Sequence, residues 1–99
     1  MTPNKKQRKH LQSVSHNLQP VVRIGQKGVT EAVLAELDIA LAHHELIKIK
    51  IGAGDREERI AIITKIAEDR DAHIIQQIGQ TAVLFKRNHE KPVIFFPKT

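Results

Sequence analysis

The chain has 99 residues, a formal net charge of +5 at neutral pH and no cysteine. This length fits one domain, residues 1–99. With 40% hydrophobic residues, the chain can form a core that does not depend on cross-links or a partner. The lack of cysteine excludes disulfides, thiolate zinc sites, iron–sulfur clusters and cysteine nucleophiles, and it suits a reducing compartment. No apolar run approaches the roughly 20 residues of a membrane span, and no apolar segment follows the first charges as in a secretory signal. We therefore expect a cytoplasmic domain.

The basic residues are concentrated in the first part of the chain. Residues 1–28 contain no acidic side chain, and their cations are Lys5, Lys6, Arg8, Lys9, Arg23 and Lys27. Residues 29–45 show the reverse, with Asp and Glu but no Lys or Arg. Because a solvated surface normally mixes both signs, a long stretch without a carboxylate indicates a polyanionic partner. A basic tail without any ligand would give the same pattern.

The first elements predicted along the chain are a basic helix, a short strand and a second helix. The first helix, with Thr2 as its cap and Pro3 at its first position, extends to about residue 15. Its narrow apolar stripe consists of Leu11, Val14 and Leu18. A strand over residues 21–24 leads into Gly25-Gln26-Lys27-Gly28, and Thr30 then caps a second helix that ends near residue 44.

The second part of the chain predicts a strand, a helix and a hairpin. Residues 46–51 alternate strictly, with isoleucines on one face and Lys48 and Lys50 on the other. A second glycine turn at residues 52–54 precedes a third helix, which Asp55 and Glu58 open as a capping box. Residues 73–78 and 81–87 then form a hairpin around a Gly79-Gln80 turn. The apolar tail at residues 92–97 fits either an edge strand or a docked extension.

The order α-β-α-β-α-β-β predicts an α/β sandwich with a four-stranded mixed sheet. Strand–helix–strand units with short connections favour parallel pairing and right-handed crossovers, closed here by one antiparallel hairpin. The glycine turns at residues 25–28 and 52–54 would leave the carboxyl ends of parallel strands, where open α/β sheets bind ligands. Both turns also lead into helix N-termini, which carry partial positive charge and unpaired N–H groups.

The strongest candidate binding element is the loop Gly25-Gln26-Lys27-Gly28. Its two glycines would let the backbone approach a phosphate closely, Lys27 adds a charge between them, and Arg23 flanks the loop from the strand. The loop has neither the spacing of a nucleotide-triphosphate loop nor the middle glycine of a dinucleotide fingerprint. A strand-to-helix turn also favours glycine, so this loop could be a turn and nothing more.

Other cations are weaker candidates for the same role. Arg56 and Arg59 open the third helix at the same predicted edge, where they could contact a phosphate backbone or pair with the neighbouring acids. Lys48 could line an open binding surface of the sheet, whereas Lys50 fits an ordinary solvent-facing position.

Catalytic and metal sites are not expected. His43 and His44 point about 100° apart on a helix, and no other histidine spacing suits a metal ion. No nucleophile is paired with an oriented base, so we expect no enzyme, no cofactor and no metal. Three phenylalanines without Trp or Tyr cannot form a base-stacking platform. Phosphate, shape and 2′-hydroxyl contacts to folded RNA, with a steep salt dependence, are therefore the expected mode of binding.

Three segments in matching order and spacing resemble the CRM domain family, the chloroplast RNA splicing and ribosome maturation domain with the bacterial YhbY proteins. They are residues 18–30, residues 44–50 and residues 74–84 around Gln77-Ile78-Gly79. The resemblance covers nearly the whole chain. It implies a fold like the C-terminal domain of a bacterial translation initiation factor, preceded by an extra helix. It also implies RNA binding through Gly25 and Gly28. Asp71 stands where the family often has glycine, and Phe85 where it often has tyrosine.

The leading hypothesis is a monomeric accessory protein that docks on precursor large-subunit ribosomal RNA and assists ribosome assembly without chemistry of its own. The N-terminal cations would attract RNA over distance, and the glycine loop with Lys27 and Arg23 would contact its backbone. No membrane and no small-molecule substrate is expected as a partner. Two alternatives stay open: a ribosome-associated protein-interaction module that uses the Val93–Phe96 tail, and a binder of double-stranded DNA.

Overall fold

The computed structural model describes residues 1–97, which fold into three helices and four strands in the expected order. The elements are α1 (Lys5–Ser15), β1 (Pro20–Ile24), α2 (Glu31–His44), β2 (Leu46–Ile51), α3 (Arg56–Arg70), β3 (His73–Ile78) and β4 (Thr81–Phe85). The strands form one mixed sheet in the order β1-β2-β4-β3. The α/β sandwich with a four-stranded mixed sheet is confirmed.

The last strand, β4, occupies a central place in the sheet. β1 pairs in parallel with β2, as the strand–helix–strand unit predicts, and β4 runs antiparallel to both β2 and β3. The parallel pairing expected between β2 and β3 is therefore not formed, because β4 lies between them. The burial of the strands explains this order. Residues 82–85 of β4 are all buried, as in a strand covered on both faces, whereas β3 is mostly only partly buried.

One face of the sheet is covered by α2 and α3, and this layer contains the larger core. Alternate residues of β2 point to this face, and both helices bury apolar side chains against them. The fully or nearly fully buried members include Ile47, Ile49, Ile51, Leu37, Leu41, Ile63 and Ile66. Burying an isoleucine or leucine of this kind stabilises the fold by about 1.5–3 kcal/mol relative to leaving it exposed.

The starts of the three helices follow from their capping residues. Thr30 Oγ1 accepts a hydrogen bond from Val33 N at 3.2 Å, and Asp55 Oδ1 accepts one from Glu58 N at 2.9 Å, so both predicted caps are confirmed. The return bond from Asp55 N to the Glu58 side chain, which would complete the predicted capping box, is not formed. The predicted cap of α1 at Thr2 is wrong, because Asn4 caps this helix. Asn4 and Gln7 form a reciprocal capping box that satisfies two N–H groups at once.

The opposite face of the sheet is only half covered, by α1 and the C-terminal tail. Leu11 of α1 is fully buried in a second, smaller core with Leu46, Ile75, Val83 and Phe85. Two side chains of α1 also bind the backbone of β3: Arg8 Nη2 donates to the Ile74 carbonyl at 2.6 Å, and Gln12 Nε2 donates to the Ile75 carbonyl at 3.3 Å. α1 ends at Ser15, and beyond it the sheet face towards the carboxyl ends of β1 and β2 stays uncovered.

The tail is a docked extension and not an edge strand. Ile94 and Phe96 pack against the second core. The Phe96 ring meets Phe85 edge-on, with 5.9 Å between the ring centroids, and meets His10 of α1 at 5.8 Å. The Arg87 guanidinium lies 5.4 Å from the centroid of the same ring. The tail therefore ties the end of the chain to both β4 and α1.

Glu45 holds the tail in place. Its side chain is fully buried, and its carboxylate accepts backbone N–H bonds from Asn88 (2.6 Å), Val93 (2.5 Å) and Ile94 (2.7 Å). Arg87 Nη1 lies 3.3 Å from Oε1. Burial by itself raises the pKa of Glu45, but the three N–H bonds and the Arg87 charge together outweigh it and lower the pKa.

Replacing Glu45 by glutamine should destabilise the protein by about 3 kcal/mol, because the change removes a buried charge from its donors and leaves Arg87 unpaired. Urea denaturation at pH 7 measures this loss, and the exposed Glu90→Gln is the matched control with an expected change within about 0.5 kcal/mol.

The same comparison has a defined pH dependence. The pKa of Glu45 is lower in the folded than in the unfolded protein, so its stabilisation is complete above the ordinary glutamate pKa and is lost as the pH falls through the folded value. The gap in stability between wild type and Glu45→Gln should therefore shrink below about pH 4. A gap that stayed constant to pH 3 would contradict this role of the carboxylate.

Candidate nucleic-acid interface

Three turns meet at one edge of the sheet, which we call the loop edge. They are residues 25–28 after β1, residues 52–54 after β2, and residues 79–80 between β3 and β4. Gly52 N donates to the Ile24 carbonyl at 2.8 Å, and Ile51 N donates to the Gln80 carbonyl at 2.7 Å. The two glycine turns thus leave the carboxyl ends of adjacent parallel strands, as the sequence predicts, and the hairpin turn joins them.

The first of these turns presents two exposed residues and an accessible backbone. Gly28 N donates to the Gly25 carbonyl at 3.0 Å, which closes a four-residue turn with Gln26 and Lys27 at its exposed tip. Gly28 has a φ of +73°, a conformation that favours glycine. Gly25 has no such φ, and no protein atom lies within 4 Å of the place that its Cβ would take. The fold therefore accounts for glycine at position 28 but gives no internal reason for glycine at position 25.

Arg59 connects two of the three turns. Its Nε donates to the Gly79 carbonyl at 3.2 Å, and its Nη1 donates to the Gly54 carbonyl at 2.9 Å. The guanidinium thus links two turns of the loop edge, and it makes no ion pair with the neighbouring acids. Arg56 is exposed and likewise forms no ion pair within residues 1–97; with Arg59 and Gln77 it borders a cavity of about 440 Å³.

Next to the loop edge lies the uncovered half of the sheet, which we call the open face. Strand pairing arranges its side chains in two rows. One row consists of Arg23, Lys50, Thr81 and Ile78. The other consists of Lys48 and Gln76, with the buried Val83 of the second core between them. Lys48 and Lys50 are both partly exposed on this face. Lys48 therefore lines an open surface, and Lys50, expected to be an ordinary solvent-facing residue, lies on the same surface beside Arg23.

The cations of α1 lie away from the loop edge. α1 begins beside the start of β3, where Arg8 binds the Ile74 carbonyl. The strand from Ile74 to Ile78 at the loop edge spans about 13 Å. Arg8 is partly buried and hydrogen-bonded to the backbone of β3, whereas Lys5, Lys6 and Lys9 are exposed. The predicted site residues thus form two groups: one around the loop edge and the open face, and a second at the start of α1.

The two layers of the fold differ in charge. None of the 11 acidic residues lies in α1, in the four strands, in the glycine loop or in the connection from α1 to β1. They lie in α2 and α3, at the ends of these helices, and in the C-terminal segment at Glu90. The open face, the glycine loop and α1 therefore combine cations and neutral polar groups, whereas nearly all carboxylates lie in the opposite layer, from which Glu58 reaches Gly54 of the loop edge.

The structure also shows where possible metal ligands, apolar helices and phenylalanine rings lie. Within residues 1–97, no three Asp, Glu or His side chains come together as possible metal ligands, and no helix has the length and hydropathy to cross a membrane. Phe85 and Phe96 pack in the second core, and Phe95, 79% exposed, belongs to the tail. None of the phenylalanines lines the open face.

Sequence reasoning missed the neutral members of the open face, Gln76, Ile78 and Thr81. A register shift between Ile74 and Gln76 changes the pairing of β3, so simple alternation cannot tell which of its glutamines faces which side. Glu45 was also missed. The available signal was a carboxylate at the C-terminal end of α2, where the helix dipole disfavours negative charge and a compensating partner is needed.

Comparison with known proteins finds relatives that are named as RNA-binding proteins. An RNA-binding protein of Haemophilus influenzae is 42% identical over 92 residues, which cover 93% of each chain. A Pseudomonas aeruginosa protein named a probable RNA-binding protein is 36% identical over 88 residues, 89% of this chain and 85% of its own. The solution structure of a Staphylococcus aureus protein, for which RNA binding is suggested, superposes with a TM-score of 0.81 at 26% identity and covers 97% of this chain and 100% of its own.

Residues 4–86 match the CRS1/YhbY (CRM) domain, a domain that binds RNA. The match includes α1, the glycine loop, the loop edge and the whole sheet. The chain belongs to the CRS1/YhbY (CRM) domain family.

Proposed function

We propose that this protein is a cytoplasmic accessory RNA-binding protein that associates with precursor large-subunit ribosomal RNA and assists ribosome assembly. The observation that carries the RNA part is the separation of charge between the two layers: the glycine loop, the open face and α1 contain no carboxylate. RNA is a dense polyanion, so such a surface attracts it without opposing repulsion. The names of the relatives support RNA as the partner, and the family resemblance supports the precursor ribosomal subunit.

The glycine loop supplies the close contact in this proposal. Gly25 leaves the approach to the backbone free of a side chain, and the exposed Lys27 adds one charge at the tip. Arg23 extends the cationic surface onto β1, and the N-terminus of α2 follows the loop. Lys5, Lys6 and Lys9, at the far end of α1, act over a longer distance. Arg59 serves to hold the loop edge in shape.

Sedimentation of cell extract on a sucrose gradient tests the ribosomal part of the proposal. We expect the protein to travel with immature large subunits at low salt and to be released by ribonuclease or moderate salt, because the attraction depends on phosphates. A protein that stays at the top of the gradient at low salt would contradict the ribosomal assignment.

The exposed Phe95 favours one alternative, a protein contact made by the tail. The same gradient separates the two ideas when it is run with Phe95→Ser, which removes the exposed ring but keeps the packing of Ile94 and Phe96. Release of this variant from the particles, with undiminished binding to naked RNA, would assign the ribosomal contact to the tail.

Replacing Lys27 by alanine should weaken RNA binding and lower the slope of log K against log salt by about one, because one phosphate contact is removed. Fluorescence anisotropy of a labelled RNA hairpin over a salt series measures both quantities. Lys65→Ala is the matched control, since Lys65 is exposed on α3 beside Asp69 and should change neither. An unchanged affinity and slope for Lys27→Ala would mean that the loop is only a turn.

The two glycines of the loop should respond differently to alanine. Gly28→Ala should cost about 1–2 kcal/mol of stability because its φ of +73° strains any side chain. Gly25→Ala should leave stability unchanged or raise it by less than about 1 kcal/mol, yet lower RNA affinity by about fivefold. Thermal unfolding and the same anisotropy assay measure these effects. Full RNA affinity in Gly25→Ala would show that no ligand approaches this backbone.

A further inference from the structure

A cleft lies where α1 ends above the open face. Its volume is about 120 Å³, and Ser15 at the end of α1 together with His16, directly after the helix, forms one wall. The sheet contributes three polar side chains, Lys48, Gln76 and Thr81, and two apolar ones, Ile78 and Val83. The cleft exists because α1 covers the sheet only as far as Ser15, while the strands continue to the loop edge.

The polar groups of the cleft have free hydrogen-bonding capacity. Within residues 1–97, the Gln76 amide forms no hydrogen bond and Lys48 forms no ion pair. Thr81 Oγ1 donates to the Ile78 carbonyl at 3.0 Å, so its oxygen can still accept a bond. A glutamine amide offers donors and an acceptor side by side, which is the combination that the edge of a nucleobase requires.

The apolar groups of the cleft fit the face of a base. Ile78 is 62% exposed although it stands on a strand, next to the buried Val83. A flat ring lying over Ile78 would bury apolar area that water now covers. His16, exposed at the end of α1, supplies a ring on the other side of the cleft. Histidine is one of the side chains on which unstacked RNA bases lie.

The cations around the cleft fit the phosphates on either side of such a nucleotide. Lys48 borders the cleft itself, and Arg23 and Lys50 stand in the adjoining row of the open face, about 7 Å away along the strands. The glycine loop continues from the end of β1. One strand of RNA could therefore pass from the loop over the open face to the cleft with cations along its path.

We propose that this cleft binds one unpaired nucleotide of the RNA, so that the protein prefers a helix with a bulged or looped-out base over a uniform duplex. The inference rests on the proposed function and deepens it. In a uniform A-form helix the bases are stacked and paired, and side chains cannot read the deep, narrow major groove. A single cleft of this size takes one base, which agrees with the lack of aromatic residues for a longer stacking platform.

The test compares two RNA hairpins that differ only in one bulged nucleotide. Fluorescence anisotropy should show that the wild-type protein binds the bulged hairpin about fivefold more tightly, a preference of the size that one or two hydrogen bonds provide. Gln76→Ala should abolish this preference, so that the bulged and the uniform hairpin bind with equal affinity. Gln77→Ala is the matched control: it removes the same amide from the next residue, which borders the Arg56 cavity and not the cleft, so the preference should persist.

A second measurement does not depend on substitution. In NMR spectra of the wild-type protein, the side-chain amide signals of Gln76 should shift when the bulged hairpin is added and stay in place with the uniform one. The Gln77 amide signals should respond equally to the two hairpins, because Gln77 borders the cavity at the loop edge and not the cleft. Shifts at Gln77 without shifts at Gln76 would overturn the assignment of the cleft.

The outcomes separate the cleft from the rest of the proposal. Equal wild-type affinity for the two hairpins overturns the nucleotide site and leaves RNA binding through the glycine loop standing. Loss of the preference in both glutamine variants also overturns it, because the effect would then not belong to the cleft. Failure of the wild-type protein to bind either hairpin at low salt overturns RNA binding by this surface and the cleft with it. The ribosomal assignment is decided separately by sedimentation.

Discussion

A single buried carboxylate connects the parts of this fold that the sheet alone does not hold. Glu45 lies at the junction of α2 and β2 with a φ of +60°, a conformation that costs a side-chain-bearing residue about 1–3 kcal/mol. The three N–H bonds that it accepts from the C-terminal segment offset this cost. They fix the tail so that Phe96 packs on Phe85 and on His10 of α1. The position of α1 on the sheet thus depends partly on Glu45, which lies outside both α1 and the sheet.

The position of α1 in turn determines which part of the sheet can bind a ligand. Leu11 anchors the helix over one half of the face, and Arg8 and Gln12 bind the backbone of β3. A longer helix or a second one would have covered the other half. Because α1 ends at Ser15, the open face remains continuous with the glycine loop, and the cleft arises at the boundary between the covered and the open halves.

Most of the fold could be predicted because its signals are local. The alternation of β2, the caps Thr30 and Asp55, and the Gly79-Gln80 turn each depend on a few neighbouring residues. The order of the strands in the sheet could not be predicted from such local signals, because it depends on which strand is buried on both faces. The site shows the same division. Adjacent parallel strands bring the two glycine turns together, which topology predicts. The side of the sheet to which Gln76 points depends instead on the register shift in β3. The partners of Glu45 are more than 40 positions away along the chain.

The concentration of nearly all acids in the α2 and α3 layer, which also carries four of the cations, gives the molecule a permanent electrostatic moment. Near a polyanion, such a molecule turns until its positive side leads, and approaches through the α2 and α3 layer are slowed by repulsion. At physiological ionic strength this alignment acts over about 8 Å, so it takes effect during the last step of an encounter. The acidic layer therefore contributes to binding without touching the ligand: it raises the fraction of collisions in which the correct surface arrives first.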